Sequence, residues 1–261
     1  MKIESEMDKN LQNKVGKYGS VLKAYRSMGG WSLGVMAAGI MLIVFGVLLG
    51  LLAMLATIQA GIATLTVMAG PGLILTVIGS AKNKKRVSGY LDFFKKDTGY
   101  SEAELQEADR ELMGPGAVKL TCMTDRSRRE TVFIITDHYF LSAFPVQGCY
   151  LRKLDDIVAA FYSNEIPGIN GYRRNLFVIS RQDIQKEGVR NEYTNKQYRG
   201  FENAILTNKP DFREVCVRAV EEMVRRAPHI ITSQNISVKG IRYNLLSMND
   251  WRKDWESIFE A

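Results

Sequence analysis

Residues 27–81 carry no charged side chain, in a chain of 261 residues that has 35 Lys/Arg and 28 Asp/Glu elsewhere. A gap of about 55 residues leaves room for two apolar helices of about 20 residues each. It excludes a pair of ordinary surface helices, which need a polar face. It also argues against a transporter or channel, since those place ionisable groups inside the membrane. Histidine is almost missing: His138 falls in an expected hairpin turn and His229 just after Pro228, and neither has a metal or nucleophile–base spacing. The three cysteines, Cys122, Cys149 and Cys216, form no CxxC pair and read as small buried hydrophobes. No Walker loop, GxGxxG or GxSxG occurs. Asp137 and Asp155-Asp156 are turn and strand-opening carboxylates without a paired acid. The chain therefore reads as non-catalytic, with no metal and no cofactor. An enzyme of unknown type stays as an alternative that would require a polar pocket with a strongly shifted titratable group.

The uncharged stretch divides into spans at about 31–55 and 59–80, joined by the short Ala56-Thr57-Ile58-Gln59. So short a connection forces an antiparallel helical hairpin, and helix is demanded because lipid offers backbone groups no partners. A signal peptide has a shorter apolar core and no second span directly behind it. Lys14, Lys17, Lys23 and Arg26 precede the hairpin, and Lys82, Lys84, Lys85 and Arg86 follow it, while the turn has no Lys or Arg. The positive-inside rule then places the chain in the cell membrane with two spans and both termini cytoplasmic, and Trp31 at the interface.

The charge distribution agrees. Six Lys/Arg against three Asp/Glu give +3 over residues 1–26, and six against one give +5 over 82–96. The net +7 thus leaves −1 for residues 97–261. Cations beside a membrane favour anionic lipid by about 1 kcal/mol each. A nucleic-acid protein carries its excess on the folded domain, so membrane lipids are the expected partner and nucleic acid is not. Gly30/Gly34 and Gly46/Gly50 have the GxxxG spacing that lets helix backbones approach, either within the hairpin or between copies in a homo-oligomer. Gly70-Pro71-Gly72 predicts a kink in the second span.

The chain is expected to divide at 1–28, 31–80, 82–116, 117–228 and 229–261. Residues 1–28 read as one cytoplasmic helix with Val15, Tyr18, Val21, Leu22 and Tyr25 on one stripe, suited to the bilayer surface or to the soluble domain. In the juxtamembrane stretch 82–116, aromatics and lysines at 90–96 suit the headgroup level or the soluble domain equally. Ser101 and Glu104 have capping-box spacing. Leu105, Ala108 and Leu112 share a face, and Gly114-Pro115-Gly116 ends that helix.

From residue 117 the apolar period shortens. Strands are expected at 117–122, 131–136, 139–144, 149–152, 157–162, 176–180 and 200–206, with long loops at 166–176 and 182–199. A helix follows Pro210, with Phe212, Val215, Cys216, Ala219, Val220, Met223 and Val224 forming a stripe fit to cover a sheet. The fold class is α+β: a transmembrane helical hairpin plus an antiparallel β-barrel or sheet capped by an amphipathic helix.

Seven strands and one helix are the order of a pleckstrin-homology-like (PH-like) barrel. Ile135-Thr136-Asp137-His138-Tyr139-Phe140-Leu141 followed by Leu154-Asp155-Asp156-Ile157 resembles the PH-like domains of small, mostly uncharacterised bacterial membrane proteins with one or two spans. The resemblance covers about 117–228. It implies a protein-binding or scaffolding module and carries over no catalytic residue.

One basic constellation stands apart. Lys119, Arg126, Arg128 and Arg129 lie at the end of the first strand and the next turn, where eukaryotic lipid-binding PH domains grip headgroups. Arginine suits phosphate through its planar fork. A solvated turn is the simpler reading, because Asp125 and Glu130 flank the cluster. Tyr172-Arg173-Arg174 is a weaker candidate. In the tail, Trp251, Trp255, Ile258 and Phe259 share one face of an expected terminal helix, as docked core or as a partner face. The favoured function is a membrane-anchored cytoplasmic interaction module holding a protein partner or its own copy. The alternative is a sensor of acidic headgroups through residues 126–129.

Overall fold

The computed structural model describes residues 6–28, 31–123, 129–144, 148–168, 171–182, 199–202 and 210–245. The chain forms two compact units, residues 22–93 and residues 1–21 with 94–261.

The first unit is built on two helices, α3 (Trp31–Met54) and α4 (Ile58–Ser88), each long and apolar enough to cross a membrane. Thr57 caps α4, its hydroxyl accepting from the Ala60 N–H at 3.1 Å. Helix α4 passes through Pro71 and ends at Ser88, eight residues beyond the expected span, with Gly89 as its cap. Its extension, Ala81-Lys82-Asn83-Lys84-Lys85-Arg86, contains strong helix formers and no breaker. Inside the apolar stretch the hydroxyls of Thr64, Thr66 and Thr76 donate to the carbonyls four residues back at 2.8–2.9 Å, so none is stranded.

Burial in this unit is inverted relative to a soluble protein. Leu48, Leu52, Val67, Leu73 and Val77 are exposed, while the buried positions include Gly39, Gly46, Gly50, Gly61, Gly72 and Gly79. A Cβ at Gly39 would stand 2.7 Å from the Gly72 carbonyl, and one at Gly72 would stand 2.8 Å from the Gly39 carbonyl. Gly79 likewise faces the Met36 N–H at 2.8 Å, and Gly46 the Ala69 N–H at 3.0 Å. The two backbones touch along a row of glycines.

At the basic end, cations lie over rings. Lys23 Nζ is 5.8 Å from the Tyr90 centroid, Arg26 Cζ 3.8 Å from that of Phe93, and Lys82 Nζ 5.5 Å from that of Trp31. The first two pairs join α2 (Val21–Met28) to α5 (Tyr90–Thr98), and the third joins α4 to α3.

In the second unit, the single helix expected over 1–28 is divided. Helix α1 (Lys9–Tyr18) stops at Gly19, which takes a left-handed conformation (φ 63°) and donates its N–H to the Val15 carbonyl. Only a residue without Cβ adopts that turn freely, so the chain re-enters helix as α2. Helix α6 (Glu102–Met113) starts with the expected capping box: Glu104 N–H donates to Ser101 Oγ at 3.3 Å, and Ser101 N–H to Glu104 Oε2 at 2.7 Å. Leu105, Ala108 and Leu112 are buried.

Four strands follow in a meander: β1 (Val118–Met123), β2 (Arg129–Ile135), β3 (Tyr139–Phe144) and β4 (Gly148–Lys153), all antiparallel. After one turn of 3₁₀ helix (Leu154–Asp156), β5 (Ile157–Gly168), β6 (Gly171–Ser180) and β7 (Arg199–Glu202) form a second antiparallel sheet. The loop expected over 166–176 is instead the end of a β5–β6 ladder, with Ile166 opposite Arg173 and Gly168 opposite Gly171. Closure into a barrel is also not found: among the described residues the four-stranded and three-stranded sheets share no ladder. They share a core. Helix α7 (Pro210–Arg226) inserts Val215, Cys216, Ala219 and Met223 against Leu120, Phe133 and Phe140 of one sheet and Ala160, Leu176 and Val178 of the other.

The second sheet is covered on its other face too. Val158, Ala159, Phe161, Phe177 and Ile179 pack with Leu245 and with the hairpin of β8 (Asn235–Val238) and β9 (Ile241–Asn244). A register shift between Ile157 and Ala159 puts Ile157 and Ala160 on one face, and Val158 and Ala159 on the other. The segment from 229 onward is therefore part of this fold as far as Leu245.

Candidate functional site

Helix α7 has two apolar lines. The first is the buried stripe described above. The second, Val217, Val220 and Val224, recurs at i, i+3 and i+7 and turns partly outward, with Val217 40 % exposed. Opposite it stand Phe161 and Tyr162 of β5, and Thr232 of the segment after α7. Together with Glu221 they line an open groove of about 650 Å³, within the range of ligand pockets. Arg213 and Arg225 mark its two ends, 12 residues apart, which is about 18 Å along a helix. The Arg213 guanidinium lies 6.0 Å from the Tyr162 ring centroid.

The groove wall is held in place by a buried carboxylate. Glu222, 2 % exposed, receives Arg218 at 2.8 Å, Arg226 at 2.7 Å and Arg225. Arg226 also donates to Asp137 Oδ1 at 3.3 Å, tying the last turn of α7 to the β2–β3 turn. Within the core, burial pushes the Cys216 thiol well above its ordinary range, so it stays protonated and inert.

A second polar constellation fastens the C-terminal end of α5 and helix α6 to the first sheet. Arg152, 1 % exposed, pairs with Asp97 at 3.0 Å, donates to Ser180 Oγ at 3.3 Å and lies 4.2 Å from the Tyr150 ring centroid. Lys153 pairs with Glu104 at 2.6 Å, and its N–H donates to Tyr100 Oη at 2.8 Å. The Lys153 hydrogen bond, helped by those from Ser101, draws the Glu104 carboxyl down to about 2. Burial raises the Tyr100 phenol, and burial with nearby glutamates pushes Tyr139 up to about 12. Glu111 accepts from His138 Nδ1 at 2.7 Å and from Thr136 Oγ1 at 2.7 Å, and the His138 pKa is raised by that hydrogen bond and charge. These groups are already engaged with each other, and their geometry is that of a structural clamp.

Two residues of the basic constellation expected at the first turn, Lys119 and Arg129, fall on described strands. Lys119 is half-buried in β1 opposite Ile134, four residues and about 14 Å from Met123, where β1 ends. Arg129 opens β2 opposite Met123. Arg126 and Arg128 lie outside the described residues, as do Gly30, Trp251, Trp255, Ile258 and Phe259. Of the membrane-surface set, Lys82, Lys84 and Lys85 are exposed at the end of α4 and Arg86 is half-buried. Of the packing glycines, Gly46 and Gly50 face α4, at Ala69 and Leu65, whereas Gly34 has nothing within 4 Å of its Cβ position. Gly39, Gly61, Gly72 and Gly79 also face the other helix; Gly39 stands seven residues before Gly46 on α3, and Gly61, Gly72 and Gly79 are eleven and seven apart on α4, spacings that a search for GxxxG passes over.

No protein-family model matches this chain, and neither does any curated protein or solved structure.

Proposed function

We propose that this chain is a membrane-anchored interaction module: a two-span hairpin with both termini in the cytoplasm, holding a PH-like domain that binds a protein partner in the groove between α7 and β5. The observation that carries it is that groove, an open, mostly apolar trough with Glu221 on its wall and an arginine at each end, on a face that no other described segment fills. An extended or helical peptide suits such a trough, with main-chain or apolar anchors between charged ends. The anchor reading is supported by the inverted burial of the hairpin, with glycines inside and large apolar side chains outside. The PH-like reading is supported by strand order, four then three, closed by α7 packed against both sheets.

Placing a photo-crosslinking amino acid at Val217 in the full chain tests this reading. A reproducible adduct, lost when Arg213 and Arg225 are both changed to Glu, is the expected result. Adducts to the same extent from an exposed position on α6 such as Glu107 would refute the groove as the binding face.

A further inference from the structure

The last described residue, Leu245, lies beside the groove of α7. Its side chain packs in one cluster with Phe161, which also lines the groove. Its N–H donates to the Gln234 carbonyl at 2.8 Å, and the Gln234 side chain accepts from Ser163 Oγ at 2.8 Å, next to Tyr162. Thr232, two residues before Gln234, stands on the same wall. The chain therefore leaves the described fold at the β5 side of the trough.

The sequence that follows carries anchors of the matching kind. Trp251, Trp255, Ile258 and Phe259 recur at i, i+4, i+7 and i+8, the spacing of a helix laid in an apolar groove. From Trp251 to Phe259 such a stripe is about 12 Å long, and the trough runs about 18 Å between its arginines. Asp250 and Glu260 bracket the stripe about 15 Å apart, and Arg213 and Arg225 are exposed at the ends of the trough. Arg225 shares the Glu222 carboxylate with Arg218 and Arg226. The wall carboxylate Glu221 is paired with Arg218 at 3.2 Å, which limits its repulsion of an acidic segment. Residues 246–261 hold four Asp/Glu against two Lys/Arg. Trp251 follows Leu245 by six residues, a reach of up to about 20 Å. A tether that short holds the segment at about millimolar effective concentration, so a weak contact suffices.

We infer that residues 246–261 dock in the groove of their own chain, with Trp251 and Trp255 as anchors, and that a partner must displace them. The inference deepens the proposed function and rests on its reading of the groove as a peptide-binding face. The segment is then a built-in competitor, and the groove accepts only a partner that outcompetes a tethered ligand.

Peptide mapping of the photo-adduct formed from a crosslinking amino acid at Val217 tests it, in the purified full chain in mild detergent. The expected product is an intramolecular adduct to residues 246–261, about tenfold weaker in W251A/W255A, the loss typical of a buried tryptophan anchor. The mapping itself keeps both tryptophans, so it decides the matter even where the double variant does not fold. An adduct that maps elsewhere, an undiminished adduct in the double variant, or the same adduct from Glu107 on α6 would overturn the inference. Mixing with an isotope-labelled chain identifies the source of the segment. A labelled 246–261 peptide in the adduct would put a second copy in the groove and overturn docking within one chain. In cells the same position separates the two readings. Adducts to 246–261 in wild type, with no other protein captured in either wild type or W251A/W255A, would refute the partner and leave the docked segment standing. Another protein captured equally in both, with no adduct to 246–261, would overturn the docked segment and leave the partner standing.

Discussion

Asp8 and Thr131 hold each other by reciprocal hydrogen bonds: the Asp8 N–H donates to Thr131 Oγ1 at 2.8 Å, and the Thr131 N–H donates to Asp8 Oδ2 at 2.9 Å. The other carboxylate oxygen of Asp8 accepts from the N–H groups of Asn10 and Leu11 and so caps α1. One side chain therefore starts a helix and fixes it to β2. Replacing Asp8 with Ala should lower stability by about 0.5–2 kcal/mol, the range for a lost cap. In a double-mutant cycle with Thr131→Val, denaturant unfolding of the full chain in micelles should give a coupling energy above about 0.5 kcal/mol. Strict additivity would show that the two groups act independently.

The buried Arg152 gives a second prediction. Removing Asp97 alone leaves a guanidinium in a site that is 1 % exposed. Asp97→Ala should therefore cost about 3–5 kcal/mol, whereas Arg152→Met combined with Asp97→Leu should cost less than the single change. A double variant less stable than Asp97→Ala would show that Arg152 contributes mainly through its contacts with Ser180 and Tyr150.

Two groups set opposite pH dependences. Glu104 has its pKa lowered from 4.5 to about 2, so its stabilising contribution is complete above 4.5 and is lost as pH falls toward 2. The stability gap between wild type and Glu104→Gln should close across that window. His138 has its pKa raised above 6.5 by Glu111, so its contribution is complete below 6.5 and is lost as pH rises through the folded pKa. The His138 side chain is 69 % exposed, so solvent screens this effect to a small one. An imidazole titration by NMR should move down when Glu111 is changed to Gln, and an unmoved midpoint would sever the link.

The glycine row separates two kinds of glycine in the hairpin. Gly39→Val should disrupt the α3–α4 contact, because its Cβ would lie 2.5 Å from Thr76 Oγ1 and 2.7 Å from the Gly72 carbonyl. Overpacking of this kind costs about 1–3 kcal/mol. Gly34→Ala should be silent, having nothing within 4 Å. Disulfide trapping between cysteines placed on α3 and α4 reads the difference, and equal trapping efficiency in both variants would contradict it.

The elements that sequence revealed were those with a local cause. Ser101 and Glu104 stand three apart and make the capping box. Val215, Cys216, Ala219 and Met223 repeat at helical spacing and are buried. Residues 157–162 and 176–179 are unbroken apolar runs, which signals a sheet covered on both faces. That signal was present, and it accounts for the packing of β8, β9 and Leu245 on the outer face. Pro167, Gly168 and Gly171 read as breakers, yet they lie within ladder β5–β6 near its turn, where neither type disturbs the pairing. Contacts such as Asp8 with Thr131, separated by 123 residues, have no local trace. The groove was half visible: Val220 and Val224 belonged to the expected stripe, but their outward turn depends on which side of α7 the sheets occupy.

The cover that β8, β9 and Leu245 place over Phe161 and Phe177 also sets an order of events during synthesis. Translation delivers β5 and β6 well before residues 235–245, so the nascent sheet waits with one apolar face open. A chain stalled or cleaved between 228 and 235 would keep that face open permanently. Such a fragment should be recognised by chaperones and proteases as unfinished, although its hairpin and first sheet are already in place.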